Sequence, residues 1–214
     1  RADLALDNER WPNLFLMTIS PDDLYLDDLT LTVNSLSKED ILPTNVLRNI
    51  KNYDFYNGLF DSLAQYQEFE ILPYPYDWRL DLNISAQLLS DKIEQAKIDN
   101  KTNKVDIIAH SMGGLLVKEY LNKFGGNSID KFVDIASPHL GSPKSFKVLS
   151  YGDNFGFEKF GLDILSPQRT KIISQNMPSV YQLLPSSLYG NYLYDLDDLD
   201  ENNVRGQLSY AETK

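Results

Sequence analysis

From residue 83 to residue 136 the apolar positions switch three times between helical and extended spacing. Ile84, Leu88, Leu89, Ile93, Ala96 and Ile98 recur every three or four residues, predicting a helix from Asn83 or Ser85 to about Asp99. The polar break Asn100-Lys-Thr-Asn-Lys104 ends it, and Val105-Asp-Ile-Ile-Ala109 reads as a strand. Leu115-Leu-Val-Lys-Glu-Tyr-Leu121 returns to helical spacing up to about Phe124, where Gly125-Gly126 supplies a stop. Lys131-Phe-Val-Asp-Ile-Ala136 is the next strand, closed by Ser137-Pro138. Upstream, Leu59, Phe60, Leu63 and Tyr66 share one helical face, and Phe69-Glu-Ile-Leu-Pro-Tyr74 reads as a strand ending at Pro73.

Strand, helix, strand, helix, strand, with crossovers longer than ten residues, predicts an α/β protein with a mostly parallel sheet covered by helices on both faces. Residues 1–57 read as loop-rich and acidic, with a short apolar run Leu14-Phe-Leu-Met17 and a helix cap at Ser20 or Asp22. Leu29-Thr-Leu-Thr-Val33 alternates like an edge strand. Beyond Pro138 regularity fades into short helices at Ser142–Leu149 and Ser166–Gln175 among glycine- and aromatic-rich loops. The expected organisation is one domain over residues 1–214, with a core at about 58–138 and a helical lid or cap at about 139–190. Phe146, Phe155, Phe157 and Phe160 motivate a lid that responds to an interface; rings buried in a fixed core would count against it.

Composition narrows the partners. With 42% hydrophobic and 24% charged residues the chain is ordinary for a globular domain. A net charge of −11 argues against nucleic acid, and against electrostatic docking on anionic membranes, though not against insertion of an apolar lid. Transient contact with a membrane or lipoprotein surface therefore stays open. The absence of cysteine excludes disulfides, thiolate metal sites and a cysteine nucleophile. No metal or other cofactor is implied. No apolar run approaches the roughly 18 residues that span a bilayer. The chain begins Arg1-Ala-Asp-Leu without methionine, which reads as a start inside a longer sequence and leaves the compartment open.

The chemistry concentrates at Ala109-His-Ser-Met-Gly-Gly114, where the strand gives way to the helix. This is the pattern of a nucleophile elbow, with Ser111 on a sharp, strained turn. Such a turn asks for small residues at Ala109 and Gly113, and it places the Met112 N–H beside the reacting carbon as an oxyanion donor. A phosphate-binding turn would carry more glycines and a lysine. A base for Ser111 is harder to find, because the chain has two histidines only. His110 adjoins the serine and is expected to point into the packing around the turn. His139, in Ser137-Pro-His-Leu-Gly-Ser142, lies past the next strand on the same sheet edge, as a loop histidine shaping the site wall or as a base. Asp134 lies inside its strand, facing a covering layer, with a triad acid as the other reading. Trp78 and Arg79 follow a strand end near that edge: Trp78 is a candidate substrate contact, and Asp77 with Arg79 a cluster fixing the loop. The run Asp195-Leu-Asp-Asp-Leu-Asp-Glu201 lacks the glycine and glutamate of a calcium loop and reads as solvated surface.

Taken in order, Pro75-Tyr-Asp-Trp-Arg79, Ala109-His-Ser-Met-Gly113 and Ser137-Pro-His-Leu-Gly-Ser142 resemble the lecithin:cholesterol acyltransferase family, α/β-hydrolase-fold lipid acyltransferases and phospholipases. Trp11-Pro12 resembles an early lid-side segment, and Asn176-Met-Pro-Ser-Val-Tyr-Gln-Leu-Leu-Pro185 a segment leading toward the later catalytic residues. The resemblance implies Ser111 as nucleophile and Met112 as one oxyanion donor. It also implies a glycine-rich oxyanion loop ahead of Trp11, yet residues 1–10 contain no glycine. The implied acid and histidine come far after the elbow, yet no histidine follows His139.

The expected function is serine-dependent acyl transfer on lipid esters through an acyl-enzyme on Ser111, with the 214 residues alone poor catalysts. The alternatives are a general lipase or deacylase of the same fold, and a non-catalytic binding protein with a relic elbow.

Overall fold

The computed structural model describes residues 2–5, 9–11, 29–31, 42–50, 53–155, 158–159, 162–163, 166–199, 205–208 and 211. The Leu14–Met17 run and the Ser20 and Asp22 caps lie outside them. So do Thr32 and Val33, Pro12, Phe157 and Phe160.

The first strands are β1 (Ala2–Ala5), β2 (Glu9–Trp11) and β3 (Leu42–Val46), an antiparallel sheet in the order β2-β1-β3. This departs from the loop-rich expectation: strands of three to five residues are too short for their periodicity to stand out. A small hairpin of β4 (Asn49–Ile50) and β5 (Tyr53–Asp54) leads into helix α1 (Asn57–Leu63). Leu29 and Leu31 are buried, but only Leu31 makes a bridge, so the expected edge strand is not extended there. Phe69–Tyr74 is also not a strand: the segment is irregular, with Phe69 and Leu72 exposed. Among the described residues no neighbouring strand pairs it, and Pro73 and Pro75 remove two backbone donors.

Helix α2 (Leu82–Asp99) begins where the Asp81 carboxylate accepts the Asn83 N–H at 2.8 Å. Its buried stripe is Leu82, Ser85, Ala86, Leu89, Ile93 and Ala96, while Ile84, Leu88 and Ile98 face outward. The small Ser85 and Ala86 sit inward because the neighbouring helix packs close. Strand β6 (Val105–His110), helix α3 (Met112–Phe124) and strand β7 (Ile129–Ile135) follow, within a residue or two of their predicted bounds. β6 and β7 are parallel, pairing Ile107 with Phe132, Ile108 with Val133, Ala109 with Asp134 and His110 with Ile135. The core joins Tyr76, Leu82, Ala86, Leu89 and Ile93 to Ala109, Met112, Leu116, Val117, Tyr120 and Ile129. Each large aliphatic side chain buried there contributes about 1.5–3 kcal/mol.

The β6–β7 sheet is not covered on both faces by the described residues. Ala109 packs into the core on one face, while Ile108, Val133 and Ile135 on the other are 42%, 49% and 40% exposed. The residues after β7 form α4 (Pro143–Tyr151), the small hairpin β8 (Glu158–Lys159) with β9 (Leu162–Asp163), α5 (Pro167–Ser174) and α6 (Pro178–Gln182). All three helices start with proline, whose missing N–H costs nothing in a first turn. Of the lid phenylalanines, Phe146 is partly buried and meets Tyr192 edge-on at 6.2 Å, and Phe155 is partly buried under the Lys144 ammonium at 4.8 Å. The acidic run enters β10 (Leu193–Leu199), which pairs with β11 (Arg205–Leu208) as a hairpin. No helix among the described residues is long and apolar enough to cross a membrane.

Candidate active site

Ser111 sits at the junction of β6 and α3 with φ 55° and ψ −128°. A non-glycine residue held there stores about 1–3 kcal/mol of backbone strain. Its N–H donates to the Ile135 carbonyl at 2.9 Å, and its own carbonyl accepts the Gly114 N–H at 3.0 Å. The turn at Ser111 is thus anchored to β7 on one side and to the first helical turn on the other. Met112 occupies the first helical position, where the N–H has no intrahelical acceptor, and its side chain is buried in the core.

The two glycines after Met112 differ. A Cβ on Gly113 would meet the Ala109 methyl at 3.6 Å, ordinary van der Waals contact, so space alone does not demand glycine there. A Cβ on Gly114 would overlap the Ser137 hydroxyl and lie 2.5 Å from Asp134 Oδ1. The strict requirement for glycine falls at Gly114, because the neighbouring strand's turn presses on the helix at that point.

Both histidines hydrogen-bond to residues other than Ser111. His110 is exposed rather than packed around the turn: it stands on the open face of β6, and its Nδ1 pairs with the Tyr56 hydroxyl at 2.7 Å. His139 Nε2 pairs with Asp134 Oδ2, while the Ser137 hydroxyl donates to Asp134 Oδ1. Those hydrogen bonds, Ser137's first and His139's second, hold the Asp134 carboxyl below the usual carboxylate range. Asp134 is in register with Ala109 and faces the first turn of α3, as the strand alternation predicts. The geometry therefore joins Asp134, Ser137 and His139 beside the elbow, a union that sequence spacing alone does not reveal. The chain turns into this cluster at Ala136, a second non-glycine residue at positive φ (50°).

Arg79 is fully buried. Its Nε and Nη2 donate to the two Asp77 oxygens at 2.9 and 2.7 Å, and its Nη1 to the Leu29 carbonyl at 3.1 Å. This is the loop-fixing cluster expected of that segment, with an added tie to the early chain. Trp78 between them is partly buried and packs against the core cluster. Tyr74 stacks on Tyr76 at 6.3 Å, and burial, with the Asp91 charge, pushes its phenol up to about 12. Two hollows near Arg48, one lined by Phe60, Asp61, Ala64, Ile71 and Pro73 and the other by Asn45, Val46, Asn49 and Pro73, include none of Ser111, Trp78 and His139. Among the described residues no group of three or more His, Asp or Glu side chains is placed to hold a metal ion.

Residues 37–213 match the family model of lecithin:cholesterol acyltransferase. The chain belongs to that family. It is 36% identical to an uncharacterized protein of Saccharomyces cerevisiae over 58% of its own length and 19% of the relative's. It is 27% identical to a 1-acylglycerol-3-phosphate O-acyltransferase of the same yeast, covering 80% of this chain and 48% of that protein. Identity to a lysosomal phospholipase A and acyltransferase of Rattus norvegicus is 26%, over 76% of this chain and 46% of the relative. The chain thus spans from a fifth to about half of the length of these relatives. No solved structure matches it. The α/β-hydrolase fold of the family accounts for the parallel β6–β7 pair and the helix α3 that follows Ser111.

Proposed function

We propose that Ser111 is the nucleophile of a lipid acyltransferase or phospholipase. Its hydroxyl oxygen attacks the carbonyl carbon of a lipid ester, and its proton passes to a base. The Met112 N–H donates to the developing oxyanion. Collapse of the tetrahedral intermediate breaks the ester C–O bond, and the leaving alcohol takes the proton. The acyl group on Ser111 then passes to water or to an acceptor alcohol. Trp78 is a candidate contact for the lipid substrate, and the helical region after β7 a candidate surface for transient membrane or lipoprotein contact.

The observation that carries this reading is the strained backbone at Ser111 on a strand-to-helix turn, within a family match over residues 37–213. Its relatives include a phospholipase A and acyltransferase and an O-acyltransferase acting on 1-acylglycerol-3-phosphate. Neither histidine of this chain hydrogen-bonds to Ser111, since His110 is held by Tyr56 and His139 by Asp134. With neither histidine bonded to it, the Ser111 hydroxyl has no base in place, and the 214-residue chain is expected to be a weak catalyst. A fluorophosphonate probe tests this. The expected result is weak labelling of the 214-residue chain, carried by Ser111 and lost in Ser111→Ala. Strong labelling would place a complete catalytic set within the chain, and labelling that persists in Ser111→Ala would overturn the nucleophile assignment. Adding an acceptor alcohol to the longer protein, and following the acyl group, separates transferase from hydrolase.

A further inference from the structure

We propose that Asp134 is a positioning residue for the nucleophile elbow, gathering Ser137 and His139 into a brace on which the first turn of α3 rests. The inference rests on Ser111 as the nucleophile. Asp134 stands in register with Ala109, two residues before Ser111, and the Ile135 carbonyl beside it accepts the Ser111 N–H at 2.9 Å. After Ile135 the chain bends sharply at Ala136 and folds back, so that Ser137 and His139 take one carboxylate oxygen each. The His139 N–H also donates to the Ser137 carbonyl at 2.9 Å, closing the turn on itself. Gly114 lies against Ser137 and Asp134 so closely that no Cβ fits, and its N–H donates to Ser111. A shift of the brace is therefore passed through Gly114 to the nucleophile's own carbonyl.

The outer side of the same loop is pinned as well. The Ser142 N–H donates to the Leu183 carbonyl at 2.7 Å, and the Ser186 N–H to the Leu140 carbonyl at 2.8 Å. Gly141 is pressed against Leu184 and Pro185. The brace thus connects the elbow to the segment after α6. Removing it loosens the elbow before it loosens the core.

Backbone amide hydrogen exchange in the 214-residue chain, read by NMR, tests the assignment without requiring activity. Asp134→Asn keeps the shape but offers one acceptor oxygen instead of two. Exchange at Ser111 and Gly114 is expected to quicken by about tenfold or more, the scale of one lost charge-assisted hydrogen bond. Exchange at Leu89 and Ile93 in α2 is expected to stay unchanged. Ser137→Ala gives part of the effect, and Ser137→Thr, which keeps the hydroxyl, restores protection. Nitrogen chemical shifts of His139 report a proton on Nε2 in the native chain and a mixed tautomer in Asp134→Asn. Unchanged protection at Ser111 and Gly114 in Asp134→Asn overturns the proposal, as does uniform quickening across α2 and α3. Phosphonate labelling is scored separately: a chain that never labels at Ser111 but shows the selective exchange response keeps the brace and loses the nucleophile reading.

Discussion

Gly113 and Gly114 are adjacent in sequence, yet the space around them differs. Gly113 faces Ala109 with room for a methyl group, while Gly114 abuts Ser137 and Asp134. Gly113→Ala is expected to change stability by no more than about 1 kcal/mol, in the stabilising direction, because the methyl group fits and alanine prefers the helix. Gly114→Ala is expected to cost about 1–3 kcal/mol, the usual penalty of overpacking. Urea unfolding of the two variants compares them directly, and equal losses would contradict the close approach. The elbow pattern made Ser111 and Met112 legible because its signal is local: a strand, a small residue, a serine and a helix start lie in one run of sequence. Ser137 and His139 stand in a recognisable segment and Asp134 in a predicted strand, yet nothing local joins the three. What unites them is the turn at Ala136 and the parallel register, and neither is written as a spacing.

At the scale of the element, α2 shows how a local cap becomes a tertiary joint. Asp81 Oδ1 accepts from the Asn83 N–H and also from the Gln182 amide at 2.9 Å, while Gln182 Oε1 accepts the Leu82 N–H at 2.9 Å. Partial burial alone would raise the Asp81 carboxyl, but those hydrogen bonds, helped by the Lys123 charge, lower it below its ordinary value. A depressed folded pKa means that the carboxylate's contribution is complete above about pH 4, where the unfolded group is also ionised. It fades as pH falls through the lower folded value. Asp81→Ala is expected to cost about 1 kcal/mol at neutral pH. The gap between variant and native chain should shrink in acid; denaturant unfolding at several pH values measures it, and a gap that grows in acid would refute the cap. The existence of α2 was legible from its apolar spacing. Its first residue, set by Asp81, and its buried stripe, set by contact with α3, were not.

Across the whole molecule, one buried ion pair ties distant segments together. Asp77 and Arg79 share three hydrogen bonds, two from the guanidinium and one from the Arg79 N–H, and Arg79 also reaches the carbonyl of Leu29, fifty residues earlier. Asp77→Ala strands a buried guanidinium and is expected to cost about 3–5 kcal/mol, seen as a lowered Tm. The double variant Asp77→Ala with Arg79→Met should recover part of that loss, since no unpaired charge remains; a double variant no more stable than the single would count against the ion pair. The sequence by itself determined the α/β alternation around β6 and β7, the sharp strand-to-helix turn at Ser111, the loop-fixing pair at Asp77 and Arg79, and the family. These depend on periodicities and short motifs whose physical requirements are met within a few residues. Only the tertiary structure decided that Phe69–Tyr74 is not a strand, that one sheet face is left open by the described residues, and that His110 pairs with Tyr56 and His139 with Asp134. Strand formation, burial and hydrogen bonding depend on partners far along the chain, and those partners meet only when it folds.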